Sequence, residues 1–310
     1  MTTAHPGFTK VTLDAFEGVA EEVGVAKPDP IVVADSVTRR FGGLTAVRVE
    51  HFEIQREAIT ALIGPNGAGK TTFFNVITGF DKANAGHWTF NDEDITGLSG
   101  YKVAQRGMVR TFQLTKALSR LKVIENMKLG ATNLSGEHFL SALVRPRWRH
   151  QEQAIEEKAD ELLERFKLSH MRDEFAGSLS GGQRKLLEMA RALMSDPKLI
   201  MLDEPMAGVN PALAQTIVAH VKTLADDGLT VLFVEHDMDV VRTISDWVVV
   251  MAEGEIVAEG RHASIVANSR VIDAYLGAHH ATPLDRSEQD RQLAEAESVL
   301  DEELSRTEEL

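Results

Sequence analysis

Short apolar runs alternate with amphipathic stretches along most of the chain. Ile59-Thr60-Ala61-Leu62-Ile63 is an apolar block of strand length, Leu199-Ile200-Met201-Leu202 follows Pro197 as another, and Leu229-Thr230-Val231-Leu232-Phe233-Val234 is a third. Runs this long without polar alternation suit strands buried on both faces. Between them the apolar period lengthens. Lys70 to Ile77 predicts a helix, Ile155, Leu162, Leu163 and Phe166 mark the apolar face of another, and Leu186, Met189, Ala190 and Leu193 share one face of a helix opened by Ser180. Strands alternating with helices predict an α/β fold around a largely parallel central sheet. In open sheets of this kind ligands gather beyond the carboxyl ends of the strands, which predicts that Gly64, Asp203-Glu204 and Glu235-His236 are neighbours in space. No internal repeat is evident.

The pattern changes at both ends. Leu13, Phe16, Val19, Ala20 and Val23 recur at helical spacing before Lys27-Pro28-Asp29-Pro30 breaks the period, so residues 1–30 are expected to form an extension with a short amphipathic helix and a linker. Its apolar stripe fits packing on the main domain better than a docking site for a partner. From residue 281 to 310 ten acidic residues accompany three arginines, with Leu293, Leu300 and Leu304 as thin apolar spacing. A solvated charge run over 279–310 is the expectation there.

Composition narrows the picture. The chain has 310 residues, of which 43% are hydrophobic, enough for a substantial core. A formal net charge of −14 disfavours binding to nucleic acid through phosphate neutralisation, so no nucleic-acid partner is expected. Cysteine is absent, which excludes disulfides and thiolate metal sites. Runs such as Val248-Val249-Val250-Met251-Ala252 fall far short of the ~20 residues that cross a bilayer. The N-terminus lacks the basic start and apolar block of a secretory signal, and the chain is expected in the cytosol.

Two glycine-rich turns carry the candidate chemistry. Gly64-Pro65-Asn66-Gly67-Ala68-Gly69-Lys70-Thr71, followed by Thr72, has the form GxxxxGK[ST] between a predicted strand and a predicted helix. Gly64, Gly67 and Gly69 let the backbone curl around phosphate oxygens, Lys70 supplies charge to the β and γ phosphates, and Thr71 offers a hydroxyl to Mg²⁺. A tight glycine turn alone would explain the glycines but not the Lys-Thr pair. Asp203 and Glu204 close a hydrophobic strand, and strand alternation would aim them at different targets: Asp203 at the Mg²⁺ shell, Glu204 at the attacking water as general base. Alone, such a pair is more often a cap or turn; its place after the glycine loop favours the catalytic role. Leu179-Ser180-Gly181-Gly182-Gln183 is a second phosphate grip, because a glycine turn opening a helix presents free N–H groups and the positive helix end.

These motifs, in this order, resemble the ATP-binding subunits of ABC transporters, whose signature sequence Leu179–Gln183 matches. The resemblance covers about residues 31–278. It implies a P-loop NTPase fold with a mainly parallel core sheet, an antiparallel β subdomain and a helical subdomain at about 114–196 bearing the signature. It further implies that two such subunits dimerise head to tail. Each ATP is then sandwiched between one subunit's Gly64–Thr72 loop and the signature turn of the other, where Ser180, Gly181, Gly182 and Gln183 lie. Phe41 matches the aromatic that meets adenine, with a core phenylalanine as the alternative. Gln113, in Val109-Arg110-Thr111-Phe112-Gln113, matches the glutamine that touches Mg²⁺ and relays nucleotide state to the membrane partner, and His236 matches the histidine contacting the γ-phosphate. Asn210 stands where most members carry aspartate.

Within the family the chain resembles most the ATP-binding subunits of bacterial branched-chain or hydrophobic amino-acid importers. The context of Gln113, the long stretch from there to Ser180, Met206–Pro211, and the ending Val271-Ile272-Asp273-Ala274-Tyr275-Leu276-Gly277 support this. The implied partners are membrane permease subunits, a second ATP-binding subunit that is either a copy or a paralogue, and an extracytoplasmic substrate-binding protein. The implied position is peripheral, on the inner face of the cell membrane. Subunits that drive lipopolysaccharide extraction or urea uptake are similar and stay open as alternatives, as does a soluble non-transport ABC ATPase. Arg145-Pro146-Arg147-Trp148-Arg149-His150 is a basic knot that suits either a membrane-facing position or a solvated helix entry. The methionines Met189, Met194, Met201 and Met206 are expected to fill the core.

Overall fold

The computed structural model describes residues 15–111, 118–131 and 145–280, with the backbone alone for 145–150 and 276–280. Two sheets organise the chain. The first is antiparallel, in the order β2-β1-β4-β5, built from β1 (Pro30–Phe41), β2 (Leu44–Gln55), β4 (Ala85–Phe90) and β5 (Glu93–Asp94). The second runs β10-β9-β3-β8-β7-β6, from β3 (Ile59–Ile63), β6 (Met108–Arg110), β7 (Leu199–Asp203), β8 (Thr230–Val234), β9 (Trp247–Ala252) and β10 (Glu255–Gly260). All of its neighbouring pairs are parallel except the edge hairpin of β9 and β10. The three predicted apolar runs are its adjacent central strands β3, β8 and β7, each buried at every position.

Burial on both faces follows from the period of two. Ala61 and Ile63 of β3, with Ile200 and Leu202 of β7, pack against α3 (Val123–Lys128), α4 (Arg145–Arg165), α5 (Gly181–Leu193), α6 (Pro211–Asp226) and α7 (Met238–Ile244). Leu62, Leu199 and Met201 face the other way, toward α1 (Lys70–Ile77), α2 (Gly100–Gln105) and the antiparallel sheet. The short α8 (His262–Ala267) and α9 (Ser269–His280) follow β10. Met189, Met194, Met201 and Met206 all lie in these cores, as their flexible thioethers suggested.

The N-terminal segment departs from the expected helix. From residue 15 it runs as turns and extended chain, and Val23 is exposed, whereas Phe16 is buried and stacks on Trp247 with ring centroids 4.6 Å apart. Farther along, Lys27 Nζ pairs with Glu259 at 2.7 Å, both side chains fully buried, and Glu259 also accepts from Gly24 N–H and from Trp247 Nε1. These specific anchors, not a helical stripe, hold the strap on the main domain. Leu13, the acidic tail 281–310 and the side chains of the basic knot lie outside the described residues.

Candidate active site

The glycine loop leaves β3 and ends at α1, wrapping one side of a cleft of about 570 Å³. Residues 66–72 line it, with Thr45 and Ala46 of β2, Gly254 of the β9–β10 turn, and Glu204 completing the walls. Backbone crowding dictates glycine here. Gly69 caps α1 at φ +96°, and a Cβ on it would lie 2.4 Å from Ala46 O, while one on Gly64 would lie 2.0 Å from Met251 O. Lys70 reaches back across the loop, donating to Gly64 O at 2.7 Å and Pro65 O at 2.9 Å. Burial holds its pKa below the ordinary lysine value, and the charges of Glu204 and Asp203 oppose that shift. Thr71 is exposed and Thr72 half-buried on the first turn of α1.

Asp203 is the last residue of β7 and is buried. Its Oδ2 accepts from Arg110 Nη2 at 2.5 Å, and the same guanidinium donates to Asn75 of α1. Oδ1 is buried and has no partner among the described residues. The Thr71 hydroxyl and the unclaimed carboxylate oxygen of Asp203 are hard oxygen donors of the kind Mg²⁺ takes, with most of its shell left to water and phosphate. Gln113, the third expected ligand, lies outside the described residues.

Glu204 does not follow the strand alternation expected of it. It sits past the end of β7 at φ +46°, a left-handed conformation that costs a non-glycine residue about 1–3 kcal/mol. Its direction is set by that turn, whose N–H donates to Val234 O at 3.0 Å. Strain of this size at a cleft-lining carboxylate marks a position where geometry outranks stability. His236 lies two residues past the end of β8, after Glu235, with an exposed side chain that does not line the cleft. Glu235 is buried and its carboxyl pKa is raised by that burial, while the N–H groups of Met206 and His236 donate to it and pull the other way.

The second grip stands apart. Ser180 caps α5 in a reciprocal box: its Oγ accepts from Gln183 N–H at 3.2 Å, and the Gln183 side chain accepts from Ser180 N–H at 2.9 Å. Helix geometry then leaves the N–H groups of Gly181 and Gly182 pointing out of the helix end. None of Ser180, Gly181, Gly182 and Gln183 lines the cleft. Phe41, at the end of β1, is 48% exposed and carries the Arg39 guanidinium 4.2 Å from its ring centroid, so it is no core residue. Asn210 caps α6, its Oδ1 accepting from Leu213 N–H, which is the role an aspartate would fill locally. The cleft wall at Thr45, Ala46 and Gly254 carried no sequence mark, since it comes from hairpins remote in the chain.

A GxxxxGK[ST] loop between a buried parallel strand and a helix, with Glu204 across the cleft and Asp203 buried at the strand end beside it, defines a P-loop nucleotide-binding protein. The profile of the ABC transporter family matches residues 48–207, and the chain belongs to that family as one of its ATP-binding, ATP-hydrolysing cassettes. A protein of Archaeoglobus fulgidus described as a probable branched-chain amino acid transport ATP-binding protein, LivG, is 41% identical over 248 residues, 80% of this chain and 96% of its own. The high-affinity branched-chain amino acid transport ATP-binding protein BraF of Pseudomonas aeruginosa is 39% identical over 80% of this chain and 98% of its own. The crystal structure of a nucleotide-free ATP-binding cassette from an ABC transporter superposes with a TM-score of 0.70 at 40% identity, covering 79% of this chain and 98% of that one. Among the described residues no helix is long and apolar enough to cross a membrane.

Proposed function

We propose that this cassette powers the uptake of branched-chain amino acids through a membrane permease. The observation that carries the reading is its 41% and 39% identity, over 96% and 98% of their lengths, to proteins named for branched-chain amino acid transport. In this reading the cassette docks peripherally on permease subunits at the inner face of the membrane. It pairs head to tail with a second ATP-binding subunit, a copy or a paralogue, and an extracytoplasmic binding protein delivers the cargo.

The residues divide the work as follows. Backbone amides of Gly67, Ala68 and Gly69 surround the phosphates, and Lys70 swings from the loop carbonyls onto the β and γ oxygens. Phe41 flanks the adenine. Thr71, Asp203 and Gln113 hold Mg²⁺, which when bound neutralises charge on the β and γ oxygens. Ser180 and Gly182 of the partner subunit close on the γ-phosphate, and His236 approaches it from the strand end. Glu204 orients a water and takes its proton as the water oxygen bonds to the γ-phosphorus. The bond from that phosphorus to the β–γ bridging oxygen breaks, leaving ADP and inorganic phosphate.

Uptake of radiolabelled leucine, isoleucine and valine in cells whose only copy carries Glu204→Gln tests the assignment. Uptake of all three should fall to the level of a deletion strain. Unchanged uptake, with a defect in urea uptake or in the outer envelope instead, would overturn it.

A further inference from the structure

Lys185 lies one turn inside α5 and ends in a nest of carbonyl oxygens. Its Nζ donates to Glu204 O at 3.3 Å, to Pro205 O at 3.0 Å, and to Ala207 O. Those carbonyls belong to the turn that holds Glu204 at φ +46°. From the opposite side Glu204 N–H donates to Val234 O at 3.0 Å and Met206 N–H to Glu235 Oε1 at 2.9 Å. The turn is thus bracketed by a cation from α5 and a buried carboxylate beside His236. Nothing in the motif pattern marks Lys185, yet it is the side chain through which the signature helix reaches the catalytic carboxylate's backbone.

The helix is a stiff lever. Lys185 sits five residues from Ser180, about 7.5 Å along the axis. A Cβ on Gly182 would fall 1.8 Å from Leu213 Cδ2, so the first turn of α5 also abuts the start of α6, where Asn210 closes the segment that follows Glu204. A displacement of the signature turn along α5 is passed to the Glu204 turn through the ties of Lys185.

We propose that Lys185 is a positioning residue that makes hydrolysis at one ATP depend on capture of the other. When a subunit's signature turn clamps the partner's nucleotide, α5 sets, through Lys185, the turn that aims that subunit's own Glu204. The proposal rests on the shared-site reading above. It supplies what a coupling claim requires, two sites and a physical element both of them bias.

The test uses the full-length chain with Lys185→Met, which keeps the apolar stem, and Lys185→Arg, which keeps the charge. Three readouts are taken: ATP turnover against ATP concentration, thermal midpoint, and ATP-dependent dimerisation of each variant combined with Glu204→Gln. Lys185→Met should lower kcat by about tenfold to a hundredfold, the scale of a small misplacement of a catalytic group. Half-saturation should move less than about twofold, since that group meets no ground-state phosphate. The Hill coefficient should fall toward one, dimerisation should persist, and Lys185→Arg should recover most of the loss. Unchanged kcat and Hill coefficient in Lys185→Met, or a loss that tracks a lowered thermal midpoint and is not rescued by arginine, would overturn the positioning role. If Glu204→Gln alone forms no ATP-dependent dimer, the site is not shared between two copies of this chain, which is a separate result.

Discussion

The two glycine-rich turns are alike in sequence and opposite in construction. The Gly64–Thr72 loop is walled in at its two ends: Gly64 is pressed against Met251 O and Gly69 against Ala46 O, while Gly67 between them faces open space, and the loop lines a cleft with Glu204. The Ser180–Gln183 turn is open at Gly181, although Gly182 behind it packs on Leu213. A Cβ on Gly181 would meet nothing within 4 Å, and the turn's side-chain hydrogen bonds are spent on capping its own helix. In the proposed reading the first turn is a site by itself, whereas the second becomes one only when something is brought against it. Gly64 and Gly69 relieve steric conflict inside the chain, as Gly182 does against Leu213, whereas Gly181 leaves room outside it.

Mutations at equivalent positions should therefore behave differently. The largest expected effect is at the carboxylate facing the first turn: Glu204→Gln should lower phosphate release by about a hundredfold or more, the usual share of a general base. Nucleotide binding, followed by fluorescence of a labelled ATP analogue, should stay intact. Hydrolysis at the wild-type rate would remove Glu204 from the mechanism.

Next in size is alanine at one glycine of each turn. Gly69→Ala places a methyl group against the Ala46 carbonyl at a positive φ, and should cost about 1–3 kcal/mol of unfolding free energy along with ATP binding. Gly181→Ala should leave urea denaturation within about 0.5 kcal/mol, as surface substitutions do, while weakening ATP-dependent dimerisation. Equal destabilisation by both would erase the contrast.

The smallest effect separates the two duties of Ser180. Ser180→Ala removes the cap and should cost about 1 kcal/mol. Ser180→Asp keeps a good cap and so keeps the stability, but sets a carboxylate where a phosphate is to dock, and ATP-dependent dimerisation should disappear. Dimerisation surviving in Ser180→Asp would mean that this turn never meets an anion.

Much of this contrast was legible in the chain, because it is local. Ile59–Ile63 and Lys70–Ile77 form a strand and a helix over the residues their periodicity marks, and β7 and β8 lie within a residue of their apolar runs. The glycine loop needs a strand before it and a helix after it, and both were readable. Other features depend on distant contacts. Phe16 stacks on Trp247, and Lys27 pairs with Glu259, across more than two hundred residues of chain. No local period signals such anchors, and the helical spacing of Leu13 to Val23 pointed to the wrong element. The backbone at Glu204 was not legible for a related reason: alternation holds only inside a strand, and the left-handed turn at this residue is braced by Val234, Glu235 and Lys185 from two other elements. The role of Asn210 could be read more simply, since a side-chain oxygen before a proline at the helix start is a cap whether it is aspartate or asparagine.

The claim that the open turn completes the walled one across two subunits can be tested with thiols, since the chain contains no cysteine of its own. Asn66→Cys is placed in one Glu204→Gln subunit and Gly181→Cys in another, the two are mixed with and without ATP, and a short bifunctional thiol reagent is added. A covalent dimer that forms with ATP and is lost without it is the expected result. No ATP-dependent covalent dimer in the mixture, or one that forms equally without ATP, would contradict a site shared between two copies of this chain.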